Sequence, residues 1–112
     1  MLYPCPACGF EVFIDSVGSY DICPICGWED DAVQLRFPFM RGGANGICLF
    51  EWQQNIIQNY PLNISEFKEY QRDKLWRPLT EKDNADDNSF PKTGFDYFLA
   101  IGEENPNYYW RK

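Results

Sequence analysis

Histidine is missing altogether from this 112-residue chain. That removes the commonest general base and the commonest ligand of open, catalytic zinc sites, so the expectation is a protein that is not an enzyme. Basic residues are scarce as well. Ten Lys and Arg face seventeen Asp and Glu, a formal net charge of -7. Such a surface repels phosphates and disfavours a general nucleic-acid role, while it attracts basic partners. No stretch approaches the ~20 apolar residues of a membrane span. The start, Met1-Leu2-Tyr3-Pro4-Cys5, has neither the basic residues nor the apolar run of a signal peptide. Cytoplasmic placement is the expectation.

What the chain has is five cysteines, and four of them are arranged in two copies of one phrase. Cys5-Pro6-Ala7-Cys8-Gly9-Phe10-Glu11 and Cys23-Pro24-Ile25-Cys26-Gly27-Trp28-Glu29 both read C-P-x-C-G-aromatic-E. A metal knuckle needs two thiolates about one turn apart, and C-x-x-C supplies them. The proline restricts φ at the start of the turn, and the glycine after the second cysteine can take positive φ. Both copies carry all three features, which chance placement would not repeat. The candidate ligands are therefore Cys5, Cys8, Cys23 and Cys26. Four thiolates close a tetrahedron and leave no position for water, so the expected group is one structural Zn2+ per chain. Its thiolates would bring the total charge to roughly -9.

The order knuckle, strand, turn, strand, knuckle over residues 4–28 predicts a zinc-ribbon β-hairpin. Phe10–Ile14 and Tyr20–Ile22 are its strands, and Asp15–Ser19 is its turn. Val33–Met40 is apolar but contains Pro38, and reads as extended. Arg41–Gly46 is a glycine-rich loop that matches no phosphate-loop pattern. Leu49, Trp52, Ile56 and Tyr60 fall on one face of a helix over 47–60, capped by Asn45 and ended by Pro61. A second helix is expected from Ile64 to Trp76, its charges Lys68, Arg72 and Lys74 lying on a solvated face. Residues 80–89 read as a loop and 95–101 as a short helix or strand. The closing aromatics Tyr108, Tyr109 and Trp110 would be costly to leave in water, so the tail should pack back. Cys48 reads as a small buried apolar side chain. The predicted class is α+β. A small N-terminal zinc-ribbon hairpin (4–28) packs on a two- to three-helix part (45–112) within a single domain.

Trp28-Glu29-Asp30-Asp31 sets three carboxylates beside an aromatic. Trp28 is expected to pack on the ribbon. The acids are either a solvated loop or a docking patch. With Asp86 and Asp87, these residues are the candidates for contact with a basic protein partner.

The residues in hand resemble the cysteine-rich CPCC family of small bacterial proteins. The resemblance is carried by C-P-A-C-G at 5–9, Y-D-I-C-P-I-C-G-W-E-D-D at 20–31, G-G-A-N at 42–45 and Y-Y-W-R at 108–111. The family name implies a third cysteine in the first knuckle, where this chain has Ala7. The four-ligand set is complete without it. The resemblance implies a zinc-ribbon-like fold and no reaction. The function expected is a non-enzymatic protein-binding protein, most concretely an immunity protein that neutralises a basic bacterial toxin. The alternatives are a zinc-ribbon factor of nucleic-acid machinery and a rubredoxin-like iron or redox protein. The knuckles resemble those of rubredoxins, but the segment between them is shorter, which favours zinc.

Overall fold

Each copy of the C-P-x-C-G phrase folds back on itself. In the computed structural model, which describes residues 2–16, 18–41, 43–84 and 108–111, strand β1 (Tyr3–Pro4) pairs antiparallel with β2 (Glu11–Phe13) across the first knuckle. The Cys5 N–H donates to the Phe10 carbonyl at 2.8 Å, and the Gly9 N–H donates to Cys5 at 2.7 Å. The second copy repeats this: Cys23 N–H to Trp28 O at 2.8 Å and Gly27 N–H to Cys23 O at 3.0 Å. Its flanks continue as a short ribbon in which Ile22 stands opposite Glu29. Gly9 and Gly27 have φ of +82° and +83°, the conformation that a side chain disfavours.

The long hairpin expected between the knuckles is therefore replaced. Residues 10–13 pair with 3–5, and 20–22 pair with the chain after Cys26. The cause is local: each knuckle turn reverses the chain and brings its own flanks into register.

Two helices follow. Helix α1 (Ala32–Arg36) occupies part of the segment expected to be extended. Pro38 stops a helix from running through it and leaves the residues before Phe37 free to form one. Asp31 is the N-cap, and its carboxylate accepts from Val33 N–H at 2.8 Å and from Gln34 N–H. Helix α2 (Leu49–Ile56) lies within the expected 47–60 span. Its N-cap is Cys48, not Asn45, and Glu51 returns a bond to the Cys48 backbone. Asn45 is committed elsewhere, as described below.

The second expected helix, Ile64–Trp76, is corrected. Strands β3 (Glu66–Phe67) and β4 (Tyr70–Gln71) form a hairpin with Phe67 opposite Tyr70. The two turn residues, Lys68 and Glu69, both have positive φ, 49° and 72°. That is the mirror-image turn whose twist matches a β-hairpin. Ring packing overrides the helical propensity of Glu and Lys: Phe67 meets Tyr60 edge-on at 5.2 Å and Phe10 at 6.4 Å.

One buried cluster draws on most of the described chain: Cys5, Phe10, Trp28, Leu49, Trp76, Leu79, Tyr109 and Trp110 all belong to it. The tail packs back as expected. Tyr109 and Trp110 are buried, and the Trp110 indole N–H donates to Asp73 at 3.1 Å. The readings made for residues 85–89 and 95–101 lie outside the described residues. Among the described residues, no helix is long and apolar enough to cross a membrane.

Candidate metal centre

The two knuckles face each other. The Sγ atoms of Cys5, Cys8, Cys23 and Cys26 all lie within 4.8 Å of one another. Cys5 to Cys26 and Cys8 to Cys23 are each 3.7 Å, and none of the four is disulfide-bonded. A tetrahedral metal with M–S bonds of about 2.3 Å has S···S edges of about 3.8 Å. The spacing therefore fits a tetrathiolate ion.

The surroundings suit a charged cluster. Ile25 and Cys26 N–H groups point at the Cys23 sulfur, at 3.4 and 3.5 Å. Such bonds spread the negative charge of a thiolate. Burial pushes the Cys5 thiol well up, and hydrogen bonding with Cys23 pushes Cys8 up. Hydrogen bonds from the other thiols, Cys26 foremost, pull Cys23 down. Without a cation four thiolates cannot share so small a buried space; a metal ion makes all four ionised at once.

The later chain, from Gln53 onward, holds the first knuckle. The Pro6 carbonyl accepts from Gln53 Nε2 at 2.9 Å and from the Trp76 indole at 3.1 Å. The Cys8 carbonyl accepts from Arg72 Nε at 2.8 Å, and Gly9 O accepts from Asp73 N–H at 2.8 Å. Gln53 is a junction: it also donates to the Tyr109 hydroxyl, while its oxygen accepts from Leu79 N–H at 2.7 Å. Burial pushes the Tyr109 phenol up, and its hydroxyl donates onward to the Arg77 carbonyl.

Of the acidic run after the second knuckle, Asp30 and Asp31 turn inward and so join neither the solvated loop nor the docking patch weighed from the sequence. Trp28 is fully buried, edge-on to Trp52 at 5.4 Å, as expected of a packed side chain. Asp30 is only 1% exposed and Asp31 4%. Asp30 Oδ2 accepts from Gly18 N–H, Ser19 N–H and Ser19 Oγ, so it closes the loop before the second knuckle. Burial pushes its carboxyl above the usual range, against those bonds. Asp31 caps α1 and also accepts from Ala44 N–H at 2.8 Å. The backbone donor that the glycine-rich loop offers to an anion is thus taken by an internal carboxylate. Glu29 is partly exposed, and Asp86 and Asp87 lie outside the described residues.

Gln34, which carried no expectation from the sequence, and Asn45, expected only as a helix cap, organise this region. The Gln34 amide donates to the carbonyls of Met40, Asn45 and Ile47, and its oxygen accepts from Asn45. The Asn45 side chain accepts from Glu29 N–H at 3.0 Å and donates to Glu29 O at 2.8 Å, as a neighbouring strand would. A side chain at Gly43 would meet Asp31 Oδ2 at 2.5 Å. The D-D and G-G-A-N phrases are therefore two halves of one clamp. Arg72, expected on a solvated helix face, is buried. Its only signal was position, close to two aromatics in a segment of mixed charge.

Cys48 stays apart from the cluster. It is buried, burial pushes its thiol up, and it lies 3.3 Å from Glu51, which Arg41 holds from outside.

Fold and site together define a small α+β protein with a four-cysteine cluster positioned to bind a metal ion. The chain belongs to the cysteine-rich CPCC family, whose model matches residues 3–73. That match runs from the first strand to the residues that seal the first knuckle. No curated protein shows a significant match.

Proposed function

We propose that the four thiolates hold one zinc ion as a closed structural centre, and that the protein acts by binding another protein and not by catalysis. The convergence of four largely buried Sγ atoms within 4.8 Å carries the metal reading. Four protein ligands leave no place for a substrate or an activated water. Metal analysis of the purified, reduced protein should give one zinc per chain and no colour. Absence of any bound metal, with the fold intact, would sink the reading.

The partner reading rests on charge and exposure. The net charge of -7 favours a basic protein. With Asp30 and Asp31 buried, the acids available beside the second knuckle are Asp21 and Glu29. They flank Tyr20 and Ile22, which are 54% and 64% exposed. Aromatic and aliphatic anchors rimmed by acids suit a basic surface. The most concrete partner is a basic toxin domain that the chain neutralises in a reducing cytoplasm. Co-expression with such a domain should restore growth. Asp21→Asn with Glu29→Gln should slow association and weaken its salt dependence. Association unchanged by both substitution and salt rules out steering by these acids.

A specific observation keeps iron as a second reading. Each knuckle is its own small hairpin, and in the second two N–H groups are aimed at the Cys23 sulfur, a setting that suits a ferrous or ferric tetrathiolate as well as zinc. A red protein with iron in place of zinc would establish it.

A further inference from the structure

Arg72 is buried in a place where, among the described residues, its charge meets no carboxylate. Among the described residues its guanidinium donates to four carbonyls and to nothing ionised: Cys8 at 2.8 Å, Pro61 at 2.7 Å, and Ile64 and Tyr60 at 3.0 Å. It lies between two rings, 4.6 Å from the Phe10 centroid and 4.8 Å from Trp76. The ion pairs among the described residues are Arg41–Glu51 and Arg77–Asp83, both toward solvent. A buried cation left without an opposing charge is strongly unfavourable. The opposing charge at hand is the thiolate cluster, whose Cys8 shares its peptide with the arginine's Nε–H bond. Burial lowers the Arg72 pKa, and Cys8 acts in the opposite direction.

We infer that Arg72 is the built-in counter-charge of the thiolate centre, and that it biases the centre toward a divalent ion. Four thiolates with a divalent ion carry -2; with a trivalent ion they carry -1. At fixed geometry the attraction of a single positive charge is twice as large for the first. The difference favours zinc or ferrous iron over ferric iron. The stacked rings and the four carbonyls fix the guanidinium in place, so the bias does not depend on a flexible side chain finding its partner. This inference rests on the metal reading above and deepens it, since it concerns which ion the site retains.

The test uses the full chain loaded with zinc, and separately with iron, as wild type, Arg72→Lys and Arg72→Gln. Zinc affinity measured against a competing chelator should fall about 10–100-fold in Arg72→Gln. A merely structural arginine could do the same, so the iron-loaded potential decides. Arg72→Gln should shift the Fe3+/Fe2+ potential downward, by ~59 mV for each tenfold loss of divalent preference. Arg72→Lys should retain most of the wild-type potential while losing the forked carbonyl bonds. Three coincident potentials, or an upward shift in Arg72→Gln, overturn the inference. If Arg72→Gln does not fold, the wild type suffices. The Arg72 Nε–H, followed by NMR, should exchange faster in the Ga3+-loaded protein than in the Zn2+-loaded one, and equal rates overturn the inference. A wild type that takes up neither zinc nor iron removes the metal reading itself, and the role of Arg72 with it.

Discussion

The two knuckles share a phrase of the same form and live in different surroundings. The first is sealed. Cys5, Ala7, Cys8 and Phe10 are buried, and the carbonyls of Pro6, Cys8 and Gly9 are all taken by groups from Gln53 onward. The second sits at the edge, where Pro24 and Gly27 are exposed and Cys26 is only partly covered. Among the described residues its turn, 23–27, is tied to the later chain by one hydrogen bond, from the Tyr60 hydroxyl to Ile25 O at 3.0 Å, and by the packing of Trp52, while Asn45 holds Glu29 just beyond it. Local chemistry fixes the turn in both copies. Tertiary contacts then make one copy an anchor and the other an outward face. If metal enters and leaves, Cys26 is the ligand that competing thiols reach first.

Exchange of single ligands tests this comparison most severely. A structural zinc site of this kind binds with about 10–16 kcal/mol, which is folding free energy. Cys8→Ser should abolish both metal uptake and cooperative unfolding, followed by circular dichroism and metal analysis. Cys26→Ser should keep a weakly held metal, because water can complete the open side. Identical behaviour of the two variants would break the comparison. The glycines come next. Alanine at either position is strained by positive φ, about 1–2 kcal/mol. At Gly9 the new Cβ would also stand 2.5 Å from the Trp76 ring, whereas at Gly27 the nearest atom is Trp52 at 3.8 Å. Denaturant unfolding should show Gly9→Ala the less stable, by about a further 1–3 kcal/mol. Gln53→Leu should cost about 1–3 kcal/mol, since it strips the Leu79 N–H of its buried acceptor. Tyr60→Phe, which cuts the bond to the Ile25 carbonyl of the second knuckle, should cost the least, about 0.5–1.5 kcal/mol.

The cluster was legible because its determinants are local. Proline, glycine and the three-residue step sit within five positions and recur, so the four ligands could be named from spacing alone. Helix α2 was legible from the placing of Leu49, Trp52 and Ile56. The rest depended on distant partners. Lys68 and Glu69 are ordinary helix formers, and only the packing of Phe67, opposite Tyr70, against Phe10 and Tyr60 turns them into a hairpin. Asp30 and Asp31 read as solvent-facing because acids usually are. Their burial requires Ser19, Ala44 and the Gln34–Asn45 amides, which lie up to 15 residues away. Arg72 was hidden for the same reason: its acceptors are carbonyls, and sequence does not mark which carbonyls will be free.

The sealed knuckle also sets an order of events during synthesis. Its carbonyls at Pro6 and Cys8 wait for donors 47, 64 and 70 residues further along. Cys5 and Cys26, by contrast, are 21 residues apart. Roughly 50 residues separate Cys26 from Trp76, roughly 2–10 s of translation. Through that interval the nascent chain carries four paired thiols and no finished core. A metal captured then would be the first long-range cross-link the chain possesses, and the helix, hairpin and aromatic tail would assemble onto a loop already tied.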